Sequence, residues 1–402
     1  MHGKTRISRV LRAERGAEGA EKESRWDGDA REIALQFQAL PSPLPALRSM
    51  LRTLRAVDFR CFSGLSLEIP ESGAVFTGDN AQGKTSILEA VCMLVRLHSP
   101  RTRRMPAMTR IGSGSGFGIA GEAWGMERRI RWQGGLELAV DGEIREGPGA
   151  FLADGGLLVW MGNEDLDLVR GSAEGRRRYL DFIGSQIEPG YRIALARYRR
   201  ALKAKNLLLK DPRPREDEIR SYGEVMISAG TALVEARSRI VSMLSPRAST
   251  SQREVSGKDE LLGLEYRPAG GADLRAAMEQ AHERERRQRQ SFVGPHRDDL
   301  LLTVNGLSAA EFASEGQQRT VALALKLAQG EALAEVRGSL PVYLIDDVFG
   351  ELDPGRRNAV LHALPSAAQK WITTTHLGWL EASHGLGGMS RYTVRAGELL
   401  KG

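Results

Sequence analysis

The octapeptide Gly78-Asp79-Asn80-Ala81-Gln82-Gly83-Lys84-Thr85 constrains the fold of this chain more than any other segment. It follows a short apolar run, Ala74 to Thr77, and precedes Ile87, Leu88, Val91, Met93 and Leu94 at helical spacing. A strand that enters a helix through such a loop turns successive backbone N–H groups, and the positive end of the helix, toward one point. Gly78 and Gly83 let the backbone curl where a side chain would obstruct a phosphate. Lys84 can reach terminal phosphates and Thr85 can coordinate magnesium, while Asp79, Asn80, Ala81, Gln82 and Ser86 complete the cradle. The helix is expected over about 84–97.

A distant second segment completes the chemistry. Val342-Tyr343-Leu344-Ile345 is an apolar strand that ends in Asp346-Asp347. Asp346 is expected to hold the magnesium shell and Asp347 to orient or activate an attacking water. The two segments share a site only if their strands lie close together in one sheet. A helix after Asp353-Pro354 and a strand from Lys370 to Thr374 supply the β-α-β alternation of a mostly parallel sheet. Asp353, six residues past the carboxylates, is placed at a dimer seam, and His376, just beyond the last strand, is placed as a sensor of the terminal phosphate. Ser314-Glu315-Gly316-Gln317-Gln318 opens a helix that runs to about Val336 and, alone, reads as a cap. With Lys84 already on one side of the phosphate, Ser314, Gly316 and Gln317 make sense as a second phosphate-facing surface, donated by another copy of the chain. The expectation is a nucleotide-operated homodimer.

Composition fits such a machine. The 402 residues suffice for two or three domains, and 41% apolar with 27% charged content is ordinary for a soluble globular chain. A formal charge of +6 and an isoelectric point near 9.4 favour polyanionic partners. Cys61 and Cys92 are too few for a disulfide framework or a four-ligand metal site, which suits a reducing compartment. Without an apolar run long enough to span a bilayer, the expectation is a cytoplasmic protein with no membrane partner.

Four segments follow along the chain. Residues 1–49 carry charge and glycine ahead of Pro41-Ser42-Pro43-Leu44-Pro45, and read as a disordered leader or an upstream extension, with Met50 a natural start. Residues 50–169 hold strands, the phosphate loop and, over 110–160, a small antiparallel sheet. Residues 170–290 contain long charged runs at 176–186, 193–209, 216–244 and 274–290 with apolar residues three and four apart, a helical lobe or short coiled-coil arm inserted into the head. Residues 291–402 return to the head, opening with Leu300 to Val304 and an Asn305-Gly306 turn. The segment from Arg170 to Lys210 holds 11 Lys or Arg against three Asp or Glu. Arg176, Arg177, Arg199, Arg200 and Lys203 are therefore candidates for contact with DNA phosphates, by charge and shape rather than base reading.

This ordered set of motifs resembles the RecF family, bacterial recombination mediator ATPases whose heads are related to those of ABC and SMC proteins. The resemblance spans about residues 50–400. It rests on the phosphate loop, Arg176-Arg177-Arg178-Tyr179-Leu180-Asp181, Tyr198 to Lys203, Asn206-Leu207-Leu208, Ser314 to Arg319 and Asp346 to Asp353. Gly294-Pro295-His296-Arg297-Asp298-Asp299 is a family marker that phosphate-loop proteins do not share at large. The resemblance implies an α/β fold, an ABC/SMC-type head with a mixed sheet, ATP with Mg2+, ATP-dependent dimerisation and slow hydrolysis used as a switch. It further implies binding to single-stranded, gapped or junction DNA and cooperation with RecR and RecO to place RecA. Asp79, Ser86, Gly162-Asn163 before Glu164-Asp165 and the long leader depart from the family pattern without removing a phosphate or magnesium ligand. An SMC-type chromosome ATPase would need a much longer arm than about 120 residues provide, and an ABC transport ATPase would lack the Gly294 to Asp299 string.

Overall fold

Burial sorts the strands into two kinds. In the computed structural model, which describes residues 50–401 except 115, 214, 377, 379–385 and 387, β1 (Thr53–Phe59) and β2 (Phe62–Glu68) bury roughly alternate residues, whereas β3 (Gly73–Thr77) is buried throughout. The leader expected over residues 1–49 lies outside the described residues. After α1 (Lys84–Arg96) come two more alternating strands, β4 (Gly116–Ala123) and β5 (Met126–Gln133), then β6 (Leu136–Val140), buried over its last three residues, and the short exposed β7 (Glu143–Ile144). They join β1 and β2 in an antiparallel sheet of order β2-β1-β4-β5-β6-β7, one face solvated as alternation requires. β8 (Leu158–Gly162) is again wholly buried. Helices α2 (Ala173–Ile187), α3 (Tyr191–Leu209) and α4 (Glu216–Ser256) follow, then β9 (Leu262–Arg267), α5 (Leu274–Gln288), β10 (Asp299–Val304) and β11 (Leu307–Ser308). The chain closes with α6 (Glu315–Arg337), β12 (Val342–Asp346), α7 (Pro354–Ala363), β13 (Lys370–Thr374), β14 (Ser390–Arg395) and β15 (Glu398–Lys401).

The second sheet has the order β15-β14-β3-β13-β12-β8, parallel from β14 to β8 with β15 antiparallel at one edge. Its central strands are continuous apolar runs because both faces are covered. Phe76, Leu158, Trp160, Val342, Leu344 and Trp371 pack toward α1 and the antiparallel sheet. Their neighbours Val75, Val159, Met161, Tyr343, Ile345 and Ile372 pack on the opposite side with α6 and the C-terminal half of α4. Helix α1 is therefore buried on nearly all sides, which a phosphate loop needs if it is to be held rigidly.

Helix α4, 41 residues long, belongs to two cores. Met226, Ala229, Leu233 and Ala236 pack with Tyr191, Tyr198, Leu274 and Met278 in the helical lobe. Further along, Ile240, Val241, Leu244, Ala248 and Val255 join the core beneath the parallel sheet. The periodicity predicts a helix that ends at Leu244, before Pro246, yet the helix continues through the proline. An interior proline removes one backbone hydrogen bond at about 3 kcal/mol. Burial of Leu244 and Ala248 on either side of it offsets that loss. β9 falls between the helical runs expected at 216–244 and 274–290, inside the segment expected to be a helical lobe, and pairs antiparallel with β10. β8, read with the antiparallel strands, instead pairs in parallel with β12.

Candidate nucleotide-binding site

Gly78 and Gly83 have φ of 144° and 112°, a region that side chains resist. A Cβ on Gly78 would stand 2.3 Å from the Val394 carbonyl oxygen, and one on Gly83 would stand 2.6 Å from Cys61 Sγ. The loop thus needs glycine twice over, for backbone and for room. Lys84 opens α1, and its Nζ donates to the carbonyls of Gly78 (2.6 Å) and Asp79 (2.8 Å). Burial holds the Lys84 ammonium below the usual lysine range, against the opposing pull of Asp347, Asp346 and Asp79. Asn80 and Ala81 lie at the exposed tip, Ala81 with φ of 64°. Ser86 is buried and turned toward Cys61. The side chain of Gln82 is tied to the C-terminal hairpin by a 2.6 Å bond from Ala396 N–H to its Oε1.

Sheet register brings the carboxylates to this loop. β13 lies between β3 and β12, with Thr374 opposite Thr77 and Thr373 opposite Asp346. Thr85 Oγ1 stands 2.9 Å from both carboxylate oxygens of Asp346, and Thr373 Oγ1 donates to Asp346 Oδ1 at 2.7 Å. The Thr373 hydroxyl also accepts from Asp347 N–H at 2.9 Å, a contact the sequence reading missed because one threonine in a strand carries no signal of its neighbour. Burial raises both carboxyls above the usual range; Thr373 and Thr85 oppose the rise at Asp346, and Lys84 opposes it at Asp347 while Glu351 adds to it. Asp347 takes a left-handed φ of 53°, and its Oδ1 is buried without a hydrogen-bond partner. His376 lies close enough to oppose the rise at Asp347, and its backbone exchanges hydrogen bonds with Thr374 Oγ1 at 3.1 and 3.3 Å.

These groups fit a nucleotide with magnesium. The Thr85 hydroxyl and the Asp346 carboxylate form an oxygen pair of the kind magnesium takes while keeping phosphate and water for the rest of its shell. Among the described residues no cluster of three or more His, Cys, Asp or Glu forms a closed metal cage. Asp347 leaves an uncommitted acceptor beside Lys84.

Ser314, Gly316 and Gln317 sit elsewhere. Ser314 caps α6 in a reciprocal pair, its Oγ accepting from Gln317 N–H (3.3 Å) while Gln317 Oε1 accepts from Ser314 N–H (3.0 Å). Gln317 Nε2 donates to Glu260 Oε1 at 3.0 Å, and a Cβ on Gly316 would meet Arg356 Nη1 at 2.9 Å. Among the described residues, none of their hydrogen bonds reaches the phosphate loop of the same chain. Asp353 is exposed and caps α7, its carboxylate held below the usual range by the Arg356 N–H that it accepts at 3.0 Å.

The basic candidates divide in two. Arg176 forks onto Asp299 (2.7 and 3.0 Å), and Arg177 donates to the Asp298 carbonyl (2.7 Å), so both brace the joint between α2 and β10. Arg199 pairs with Asp181 at 2.8 Å but stays half exposed, and Arg200 and Lys203 are exposed on α3. The Gly294 to Asp299 string works at the same joint. Buried Asp298 accepts from Arg237 (2.9 Å), from the Tyr266 hydroxyl and from Ala269 N–H, while Arg237 also reaches Asp181 (2.9 Å). His296 donates from Nε2 to the Ser291 carbonyl (3.2 Å) and accepts from the Tyr198 hydroxyl (2.6 Å). Its imidazole is kept below the usual range by burial.

A parallel sheet carrying this phosphate loop beside paired carboxylates, backed by an antiparallel sheet and a helical insertion, is an ABC/SMC-type P-loop ATPase head. An SMC head domain from Pyrococcus furiosus shares the fold, with a TM-score of 0.51 at 15% identity over 87% of this chain and 96% of that one. No protein-family model matches the chain. It is 35% identical over 357 residues to the DNA replication and repair protein RecF of Synechococcus sp. strain JA-3-3Ab, covering 83% of this chain and 93% of the relative. To RecF of Symbiobacterium thermophilum it is 37% identical over 367 residues, covering 87% and 98%. The solved structure of the recombination mediator protein RecF with ATP, of the RecFOR pathway, matches with a TM-score of 0.78 at 27% identity over 87% of this chain and 97% of that one. The chain belongs to the RecF family.

Proposed function

We propose that this protein is an ATP-operated DNA-binding dimer of recombinational repair and replication-fork maintenance, which acts at single-stranded, gapped or junction DNA with RecO and RecR to assist the loading of RecA. The observation that carries the reading is the Thr85 to Asp346 contact at 2.9 Å, which sets the hydroxyl of the phosphate loop against the strand-end carboxylate as an oxygen pair suited to magnesium. In this reading the loop amides and Lys84 bind the phosphates, and Thr85 and Asp346 hold Mg2+. When bound, the ion neutralises charge on the phosphate oxygens. Asp347, with its free acceptor, orients the attacking water, and His376 faces the terminal phosphate. Ser314, Gly316 and Gln317 of a second copy close the site, with Asp353 at the seam, because their own bonds lie away from the loop of the same chain. Hydrolysis is slow and reopens the dimer. Residues 50–169 and 291–402 act as the two halves of the head and 170–290 as the lobe, whose exposed Arg199, Arg200 and Lys203 track the DNA backbone. Among the described residues no helix is long and apolar enough to cross a membrane. In this reading the protein works on DNA in the cytoplasm.

Sedimentation of the purified protein with ATP, ADP or no nucleotide, each with and without gapped duplex, tests this reading. A dimer that forms with ATP alone and carries the DNA with it is the expected result. A protein that stays monomeric with ATP and leaves the DNA behind would overturn it. Arg200→Glu with Lys203→Glu should weaken DNA binding and flatten its salt dependence by about two phosphate contacts, at unchanged ATP affinity; an unaltered salt slope would place the track elsewhere.

A further inference from the structure

The hairpin formed by β14 and β15 lies far from the phosphate loop in sequence and holds it from one side. β14 pairs in parallel with β3, Thr393 opposite Thr77, and the Thr77 hydroxyl donates to the Tyr392 carbonyl at 3.2 Å. The Val394 carbonyl occupies the space that a side chain on Gly78 would need, 2.3 Å from its Cβ position. At the hairpin turn, Ala396 N–H donates to Gln82 Oε1 at 2.6 Å and Gly397 N–H donates to the Gln82 backbone carbonyl at 3.2 Å. A Cβ on Gly397 would come 3.0 Å from the Cys61 carbonyl, so the turn is wedged between the loop and the turn that joins β1 to β2.

We infer that the Ala396-Gly397 turn is a positioning element for the nucleotide and that Gln82 serves as its attachment point rather than as a direct ligand. The inference rests on the proposed nucleotide site. In a planar trans peptide the carbonyl and the N–H point in opposite directions. Fixing the Gln82 carbonyl on Gly397 therefore aims the Gly83 N–H away from the hairpin, toward the side where the loop amides gather. The side-chain bond to Ala396 prevents this peptide from rotating. A loop whose amides must all face one ligand loses affinity when a single peptide is free to turn, because its ordering is then charged to binding. Conversely, a bound nucleotide that needs the Gly83 N–H inward will tighten the two hairpin bonds.

The test is hydrogen exchange at Ala396 and Gly397, together with ATP affinity by calorimetry, on the full chain. In the wild type, ATP should slow exchange of both amides. Gln82→Leu keeps the volume and removes the acceptor; the Ala396 amide should lose protection and ATP affinity should fall about tenfold, as expected for one lost hydrogen bond. Gln82→Glu keeps an acceptor and should keep Ala396 protected. Gly397→Ala leaves Gln82 intact but disturbs the turn at φ of 77°, and should weaken ATP in the same direction. Wild-type affinity in Gln82→Leu, or exchange at Ala396 that does not respond to ATP, would overturn the inference while leaving the nucleotide site standing. A wild-type chain that bound no ATP would instead remove the site on which the inference rests.

Discussion

Asp346 and Asp347 are neighbours in sequence and differ in commitment. Asp346 accepts hydroxyls from Thr85 and Thr373, whereas Asp347 keeps a buried oxygen without a partner. Such a carboxylate is an investment in chemistry at the expense of stability. Its folded pKa is raised above the ordinary 3.8, so its contribution to stability is fully present below that value and is lost as pH rises through the folded pKa. Ionised Asp347 therefore destabilises the fold at neutral pH. Asp347→Asn should be more stable than wild type in urea unfolding at pH 7, with the difference shrinking near pH 4; ATP should still bind while hydrolysis falls by about a hundredfold or more. Full hydrolysis in this variant would move the catalytic role elsewhere. Lys84→Ala should weaken ATP by about a hundredfold, the loss of a charge-assisted contact, with the thermal transition retained. Calorimetric titration reads the first and a melting curve the second.

Among the elements, α6 shows how one N-terminus can carry two meanings. Ser314 is a well-formed cap, with Gln317 closing the box, and Gly338 ends the helix with a left-handed φ of 64° and a bond to Ala334. That geometry would exist without any ligand. The two roles separate by substitution. Ser314→Ala should cost about 1 kcal/mol of stability by removing the cap. Ser314→Asp can accept from the same N–H and should restore stability, yet its negative charge should prevent ATP-driven dimerisation if the residue faces a partner's phosphate. Melting curves and sedimentation with ATP read the two effects independently, and an Asp variant that dimerises normally would leave Ser314 as a cap alone.

At the scale of the molecule, the lobe and the head are bound by α4 and by the charge network at its middle. Arg237 is 3% exposed and lies between Asp181 of α2 and Asp298 of the family string, with Tyr191 and Tyr266 hydroxyls completing the cage. Removing one partner from a buried ion network leaves the others uncompensated. Arg237→Ala should therefore destabilise by about 3–5 kcal/mol in denaturant unfolding. Since α4 contributes to both cores, lobe and head should unfold in one transition seen alike by tryptophan fluorescence and circular dichroism. Two separated transitions in the wild type would show that the helix does not couple them.

Much of the nucleotide site could be read before any coordinate. Phosphate-loop glycines, a lysine, a threonine and an apolar strand ending in acids are local patterns, because strand, tight turn and helix each leave a short-range periodicity. The same holds for the helix cap at Ser314, whereas the cap at Asp353 emerges only in the structure. What sequence could not determine is whatever depends on which strands become neighbours. Thr373 meets Asp346 only through the β12 to β13 register, Gln82 meets Ala396 only because β14 packs beside β3, and β8 and β9 declare their partners only in the sheet. The exposed or buried fate of the arginines was equally hidden, since Arg176 and Arg200 look alike as letters in a basic run. Composition records charge, whereas only tertiary structure decides whether a carboxylate such as Asp299 stands in front of it.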